Sequence, residues 1–166
     1  WNAVKIDGNW ELLDLTWSTG VINSETNLWE KKIDEYYFFT PPKQFLKSHY
    51  PELYKWQLVE DKIDLKTFIE TPLFYPKYFS SGITISKNQK GQIKINDKEL
   101  ILSINKIKNS NNIYYKFSNQ KRTKKLYAIK RKNGAYISTI SCNNIKDSLL
   151  SLYLETEPII TFKVKK

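Results

Sequence analysis

With 166 residues, of which 40% are hydrophobic and 27% charged, the chain has the composition of one ordinary globular domain or two small ones. No apolar run reaches the ~18 residues of a membrane helix. One Cys and one His exclude an internal disulfide, a Cys-based zinc site and a His-rich metal site.

The net charge of +10 is uneven: residues 1–80 carry 9 Lys against 12 acidic residues, and residues 81–166 carry 18 Lys and Arg against 5. All five Trp and five of the six Pro lie in the first half. These shifts place an expected boundary at Ser80-Ser81-Gly82, with domains over 1–80 and 81–166. The chain lacks Met and begins at Trp1, so it is expected to be internal to a longer precursor.

Asp7-Gly8 predicts a hairpin, because a type I′ turn needs positive φ at both positions. Val4 then faces Glu11, and Trp1 faces Asp14. Asp14 shares a sheet face with Trp1, Ala3 and Trp10. A carboxylate among Trp rings is costly to bury alone. No His, Arg or Lys stands opposite it in the hairpin, so its partner is expected from elsewhere. The plainer reading is a strand-end Asp that caps the following turn.

Residues 21–32 read as a polar loop. Glu35–Thr40 reads as a buried aromatic strand. Thr40 is expected to cap a short helix that starts at Pro41 and runs to about Ser48. His49 then sits at a helix exit, where a bond to a backbone carbonyl is expected. Trp56–Val59 reads as a short strand, and Asp64 as the N-cap of a helix over Leu65–Glu70.

The stretch WNAVKIDGNWELLDLTW resembles the His-to-Asp segment of transglutaminase-like domains, in the kyphoscoliosis peptidase-like branch. There the pattern is His, any residue, Trp-Asn, a hairpin, then Asp-x-Thr-Trp. The segments EYYFFTPPKQFLKSHYPELYKWQLV and FIETPLFYPKYF are similar to the same branch, so the resemblance covers about residues 1–80. Ser18 departs from it, since relatives often have Gly there.

The resemblance implies a Cys-His-Asp triad that forms a thioester. Asp14 maps onto the Asp. The His would stand two residues before Trp1 and the Cys further upstream, both outside this chain. Extending the first strand by two residues keeps that side chain on the face of Asp14, within diagonal reach. His49 and Cys142 are read as structural, and this chain alone is expected to be inactive. No cofactor or metal is called for.

From Ile83 onward the pattern has period two, through Leu100, Leu102 and Ile104, then 113–117, 149–155 and a last strand after Pro158. Asn133-Gly134 predicts a second hairpin, with Ile129 facing Ser138 and Arg131 facing Tyr136. These strands suggest an immunoglobulin-like β-sandwich. The fold class is therefore α+β, mainly β, with a partial transglutaminase-like core followed by the sandwich.

The chain has 25 Lys, 16 of them in the basic half, but only two Arg, Arg122 and Arg131, which argues against nucleic acid, where Arg dominates readout. Most of the basic half's lysines fall on outward strand positions or in loops, as on a solvated face with no specific partner, and an acidic surface polymer is the next reading. The reading is a fragment of a thioester-forming cysteine enzyme acting on a protein or peptide. The alternative is a non-catalytic scaffold whose β domain docks a protein or an acidic polymer.

Overall fold

A computed structural model of the chain describes residues 1–22, 26, 28–87, 89–107 and 112–166. The fold is mainly β, and its sheets are antiparallel apart from one parallel pairing. The chain divides into two compact units, Trp1–Phe68 and Ile69–Lys166. Residues 69–81 therefore belong with the β-rich second unit.

The first unit opens with β1 (Asn2–Ile6) and β2 (Asn9–Leu13). Their register pairs Val4 with Glu11 and Ile6 with Asn9, as the Asp7-Gly8 turn requires. Both turn residues have positive φ, 49° and 85°. Helix α1 (Leu15–Thr19) follows at once. The expected loop at 21–32 differs, since β3 (Gly20–Ile22) and β4 (Trp29–Lys31) form a second small hairpin. Residues 23–25 and 27 of that stretch lie outside the described residues.

The expected strand at 35–40 is instead a 3-10 turn over Glu35–Tyr37. Strand character survives as the single bridge Leu13↔Phe38. Phe39 takes φ 60°, which turns the chain out of an extended path. Tyr37 is buried, but Phe38 and Phe39 are exposed.

Helix α2 is only Pro42–Phe45, with Pro41 at the N-cap and no side-chain cap. Thr40 does not cap it, because its hydroxyl bonds the Tyr36 carbonyl. The expected strand at 56–59 is also a 3-10 turn, Tyr54–Gln57, ended by Leu58 at φ 49°. Gln57 is buried and clasps the next loop. Its Nε2 donates to the Ile63 carbonyl at 2.7 Å, and its Oε1 accepts from Ile63 N at 2.9 Å. Asp64 caps α3 (Leu65–Glu70) as expected, accepting from Thr67 N at 2.7 Å.

The second unit begins with β5 (Leu73–Phe74) and α4 (Pro76–Ser81). Strands β6 (Thr84–Ile85), β7 (Gln92–Lys94), β8 (Glu99–Lys106) and β9 (Ile113–Phe117) follow. Then come β10 (Lys124–Lys125), β11 (Ile129–Lys130), β12 (Tyr136–Ser141), β13 (Ser148–Leu154) and β14 (Glu157–Lys165). One sheet runs β10-β9-β13-β14-β5, with β7 also on β14. The other runs β11-β12-β8-β6.

Both sheets feed one core. Leu100, Leu102, Ile104 and Ile140 come from the second sheet, and Phe117, Leu150, Leu152, Ile160, Phe162 and Val164 from the first. The period-two pattern is the cause: on β8, Leu100 and Leu102 are buried while Ile101 is 60% exposed. Pro158 sits beside a register shift at Leu152/Tyr153, where a missing N–H is tolerated.

The second hairpin is one residue off its expected register, with Ile129 facing Ile137 and Lys130 facing Tyr136. Only Gly134 of the Asn-Gly pair takes positive φ, 83°. Gly134 N bonds the Arg131 carbonyl and Arg131 N bonds the Ala135 carbonyl, which closes a three-residue loop rather than a two-residue turn.

Gly91 is a tight spot. A Cβ there would lie 2.3 Å from the Thr71 carbonyl oxygen, a backbone atom that cannot rotate away. Gly91→Ala is expected to lower stability by about 1–3 kcal/mol, the usual cost of overpacking. A fall in the urea midpoint of the second unit checks this, and an unchanged midpoint contradicts it.

Candidate functional site

Asp14 stands where β2 ends and α1 begins. Its backbone is extended, at φ −127° and ψ 97°, as an N-cap requires. Its amide donates to the Tyr37 carbonyl at 2.9 Å, which ties the strand end to the 3-10 turn. Oδ1 accepts from Trp17 N at 3.0 Å, so the residue does cap the following helix. Asp14 is also only 6% exposed, far more buried than a helix cap needs to be.

The partner that burial demanded is His49, whose Nε2 lies 3.0 Å from Asp14 Oδ2. The helical bond from His49 N to the Phe45 carbonyl, 2.9 Å, holds this residue at the end of the α2 turn. Its ring stacks on Phe45, with centroids 4.1 Å apart and planes at 15°. Trp17 meets it edge-on at 4.8 Å. Ser48 Oγ lies 2.7 Å from Nδ1. So His49 bonds a carboxylate across 35 residues, not the backbone carbonyl expected at a helix exit. The clue was in the sequence: the chain has a single imidazole and a buried carboxylate in need of a donor.

Charge states follow from these contacts. Burial pushes the His49 pKa down, and the bond to Asp14 does not fully offset this. Burial pushes Asp14 up, but Trp17 N–H, the Trp1 amino group and His49 together hold it below its ordinary value. The Trp1 nitrogen lies 3.7 Å from Oδ2. A neutral His49 beside an ionised Asp14 carries its proton on Nε2, and Nδ1 then accepts from the Ser48 hydroxyl.

Ser48, His49 and Asp14 are the residue types of a hydrolytic triad, but this set leaves no place for a substrate. The space among Trp1, Leu12, Phe45 and His49 has ≈ 0 Å³ open to water. A groove of ≈ 490 Å³ lies beside α1, lined by Leu15, Ser18, Ile33, Asp34, Glu35 and Phe38, with neither Asp14 nor His49 in its lining. Cys142 is 3% exposed in the core of the second unit, and its Sγ donates to the Ile140 carbonyl at 3.4 Å. Burial raises its thiol pKa, the wrong direction for a nucleophile. Among the described residues no group of three or more His, Cys, Asp or Glu could hold a metal, and no helix is long and apolar enough to cross a membrane.

A pH dependence follows. His49 is depressed in the folded state, so below its unfolded value of 6.5 the unfolded chain takes up a proton that the folded chain resists. Stability falls from there downward. Asp14 adds a contribution that is present above 3.8 and lost as pH falls through its lower folded value. All five Trp lie in the first unit, so Trp fluorescence reports on it alone. Its urea midpoint is expected to be lower at pH 5.5 than at pH 7.5, and His49→Gln is expected to flatten that difference. Equal midpoints in the unsubstituted chain would contradict the buried neutral imidazole.

The chain is homologous to kyphoscoliosis peptidase. It is 29% identical to the mouse protein and 28% identical to the human protein, each over 102 residues. It is also 25% identical to hillarin of Drosophila melanogaster over 107 residues. The matched stretches take in 61% of this chain for the two peptidases and 58% for hillarin. They span only 15% of the peptidases and 13% of hillarin. No family model matches the chain, and no solved structure matches it.

Proposed function

We propose that this homologue of kyphoscoliosis peptidase is part of a transglutaminase-like cysteine enzyme, and that Asp14 is the acid of its Cys-His-Asp triad. The observation that carries this is a buried Asp14 carboxylate with fixed N–H donors on both oxygens and acceptor capacity to spare. A carboxylate offers about four lone-pair sites, and two are taken here. The Trp1 nitrogen, 3.7 Å from Oδ2, marks the backbone path toward the residues ahead of β1. A His two residues earlier would sit on the Asp14 face of the hairpin and donate Nδ1–H to this carboxylate.

The chemistry is acyl transfer. An upstream Cys thiolate attacks a glutamine or peptide amide carbon, and the C–N bond breaks. The leaving amine takes its proton from the upstream imidazolium. Water or an amine then attacks the thioester and releases the thiol. Asp14 holds the imidazole in the Nε2-reactive tautomer and stabilises its charged form.

Exposed aromatics in the first unit support a core that continues beyond this chain. Trp10, Trp29, Phe38 and Tyr54 are 44%, 58%, 50% and 51% exposed. A further segment of the core would cover such rings.

For the second unit we read an immunoglobulin-like sandwich. In that scheme β6-β8-β12-β11 correspond to A-B-E-D, and β14-β13-β9-β10 to G-F-C-C′, with β7 as an A′ strand running parallel to G. The exposed run Lys121, Arg122, Lys124 and Lys125 favours a second reading. There the chain is a scaffold whose β domain docks an acidic polymer, and no chemistry occurs.

The protein extended upstream separates the two. A His two residues before Trp1, a Cys further upstream, and release of ammonia or incorporation of a labelled amine on a glutamine-bearing peptide are expected. Absence of either residue, or no turnover, overturns the enzyme reading. Retention on a polyanion at low salt without turnover would favour the scaffold.

A further inference from the structure

We propose that His49, held by Ser48, is a positioning residue: it fixes the Asp14 carboxylate for a second, reacting imidazole. This deepens the triad reading above and rests on it.

The geometry separates two jobs for two imidazoles. His49 is 8% exposed, stacked on Phe45 and edged by Trp17, with no open volume beside it. It cannot touch a substrate. What it can do is present one N–H, in one direction, to Oδ2 at 3.0 Å. An Nδ1–H tautomer would turn a bare Nε2 lone pair on Asp14 Oδ2, and the Ser48 hydroxyl, 2.7 Å from Nδ1, adds to the preference for the Nε2–H form. Trp17 N–H fixes Oδ1. Both oxygens are then immobile, and the remaining lone pairs point along set directions.

The enclosure also keeps His49 from competing for the proton. The titratable groups facing it are Asp14, the Tyr37 ring with its centroid 6.2 Å away and, in this chain, the Trp1 amino group, which in the extended protein is an uncharged peptide N–H. An imidazolium there would be stripped of water among aromatic rings. The ring therefore stays a neutral donor while the reacting imidazole cycles between charged and neutral.

The tests use this chain and its upstream-extended form. In ¹⁵N spectra of the chain, His49 is expected to show the neutral Nε2–H tautomer at pH 7. In the extended enzyme, His49→Phe keeps the ring and removes the donor. It is expected to lower kcat by roughly tenfold to a hundredfold per folded molecule, the scale of a lost hydrogen bond to a charge, with KM within about twofold. His49→Gln restores an N–H near the Nε2 position and is expected to recover most of that loss. An Nδ1–H tautomer, a ring that titrates like a free imidazole, or a His49→Phe enzyme with unchanged kcat would overturn the inference. Should His49→Phe fail to fold, His49→Gln and the tautomer decide it. Asp14→Asn reports separately: if it leaves activity intact, the triad reading falls and the positioning role falls with it. If Asp14→Asn abolishes activity while His49→Phe changes nothing, only the positioning role falls.

Discussion

Asp14→Asn in the upstream-extended protein is expected to cut kcat by roughly 10³–10⁴-fold, the scale seen when a triad acid no longer fixes its His tautomer. The fold should survive. Asn is as good an N-cap as Asp, and its carbonyl oxygen can still accept from Trp17 N. The damage is at the other oxygen. An amide NH₂ there would face the His49 Nε2–H, donor against donor, and could no longer accept from a reacting imidazole. Circular dichroism and Trp fluorescence should be close to those of the unsubstituted protein. Turnover within tenfold of the original would mean that Asp14 is a helix cap and no more.

The second large effect is on stability. Phe162 lies on β14, which pairs with β13, β5 and β7, and it is 0% exposed. Phe162→Ala is expected to cost about 3–5 kcal/mol, the loss of buried ring surface plus the cavity left behind. Against a total of about 5–15 kcal/mol for a typical domain, that leaves the second unit marginal. Ile101→Thr on β8 is the matched control, since that side chain is 60% exposed and should change stability by no more than about 0.5 kcal/mol. Far-UV circular dichroism in urea should show the β-rich unit melting early in Phe162→Ala. Loss of under 1 kcal/mol would mean the two sheets are not packed through this ring.

What the sequence disclosed depended on how local the cause was. The first hairpin was readable to the residue, because Asp7 and Gly8 both adopt the positive φ that an Asp-Gly turn demands. The second was misread by one residue, because Asn133-Gly134 looks the same but only Gly134 takes positive φ. A one-residue slip moves side chains to the other face, so this small difference matters. The inward alternation of β8 was plain, but on β14 it holds only from Phe162 onward, because Ile159 and Thr161 are buried along with Ile160 and Phe162. The aromatic run at 35–40 was not plain, because a 3-10 turn followed by Phe39 in the left-handed region leaves no periodic trace.

The site shows the same division. The demand for a buried partner at Asp14 came from the hairpin register alone. The identity of that partner did not, because the Asp14–His49 bond closes over 35 residues and depends on how α2 delivers its last turn. The helix cap does not exhaust Asp14: one oxygen caps α1 and the other meets His49.

A structure of the protein extended upstream through the expected Cys-bearing segment tests the triad role of Asp14 most directly. A His two residues before Trp1 is expected, with Nδ1 within about 2.7–3.2 Å of the Asp14 carboxylate and the His49 bond kept. An upstream residue that cannot donate, or an imidazole turned away from Asp14 while His49 alone fills the carboxylate, would contradict it.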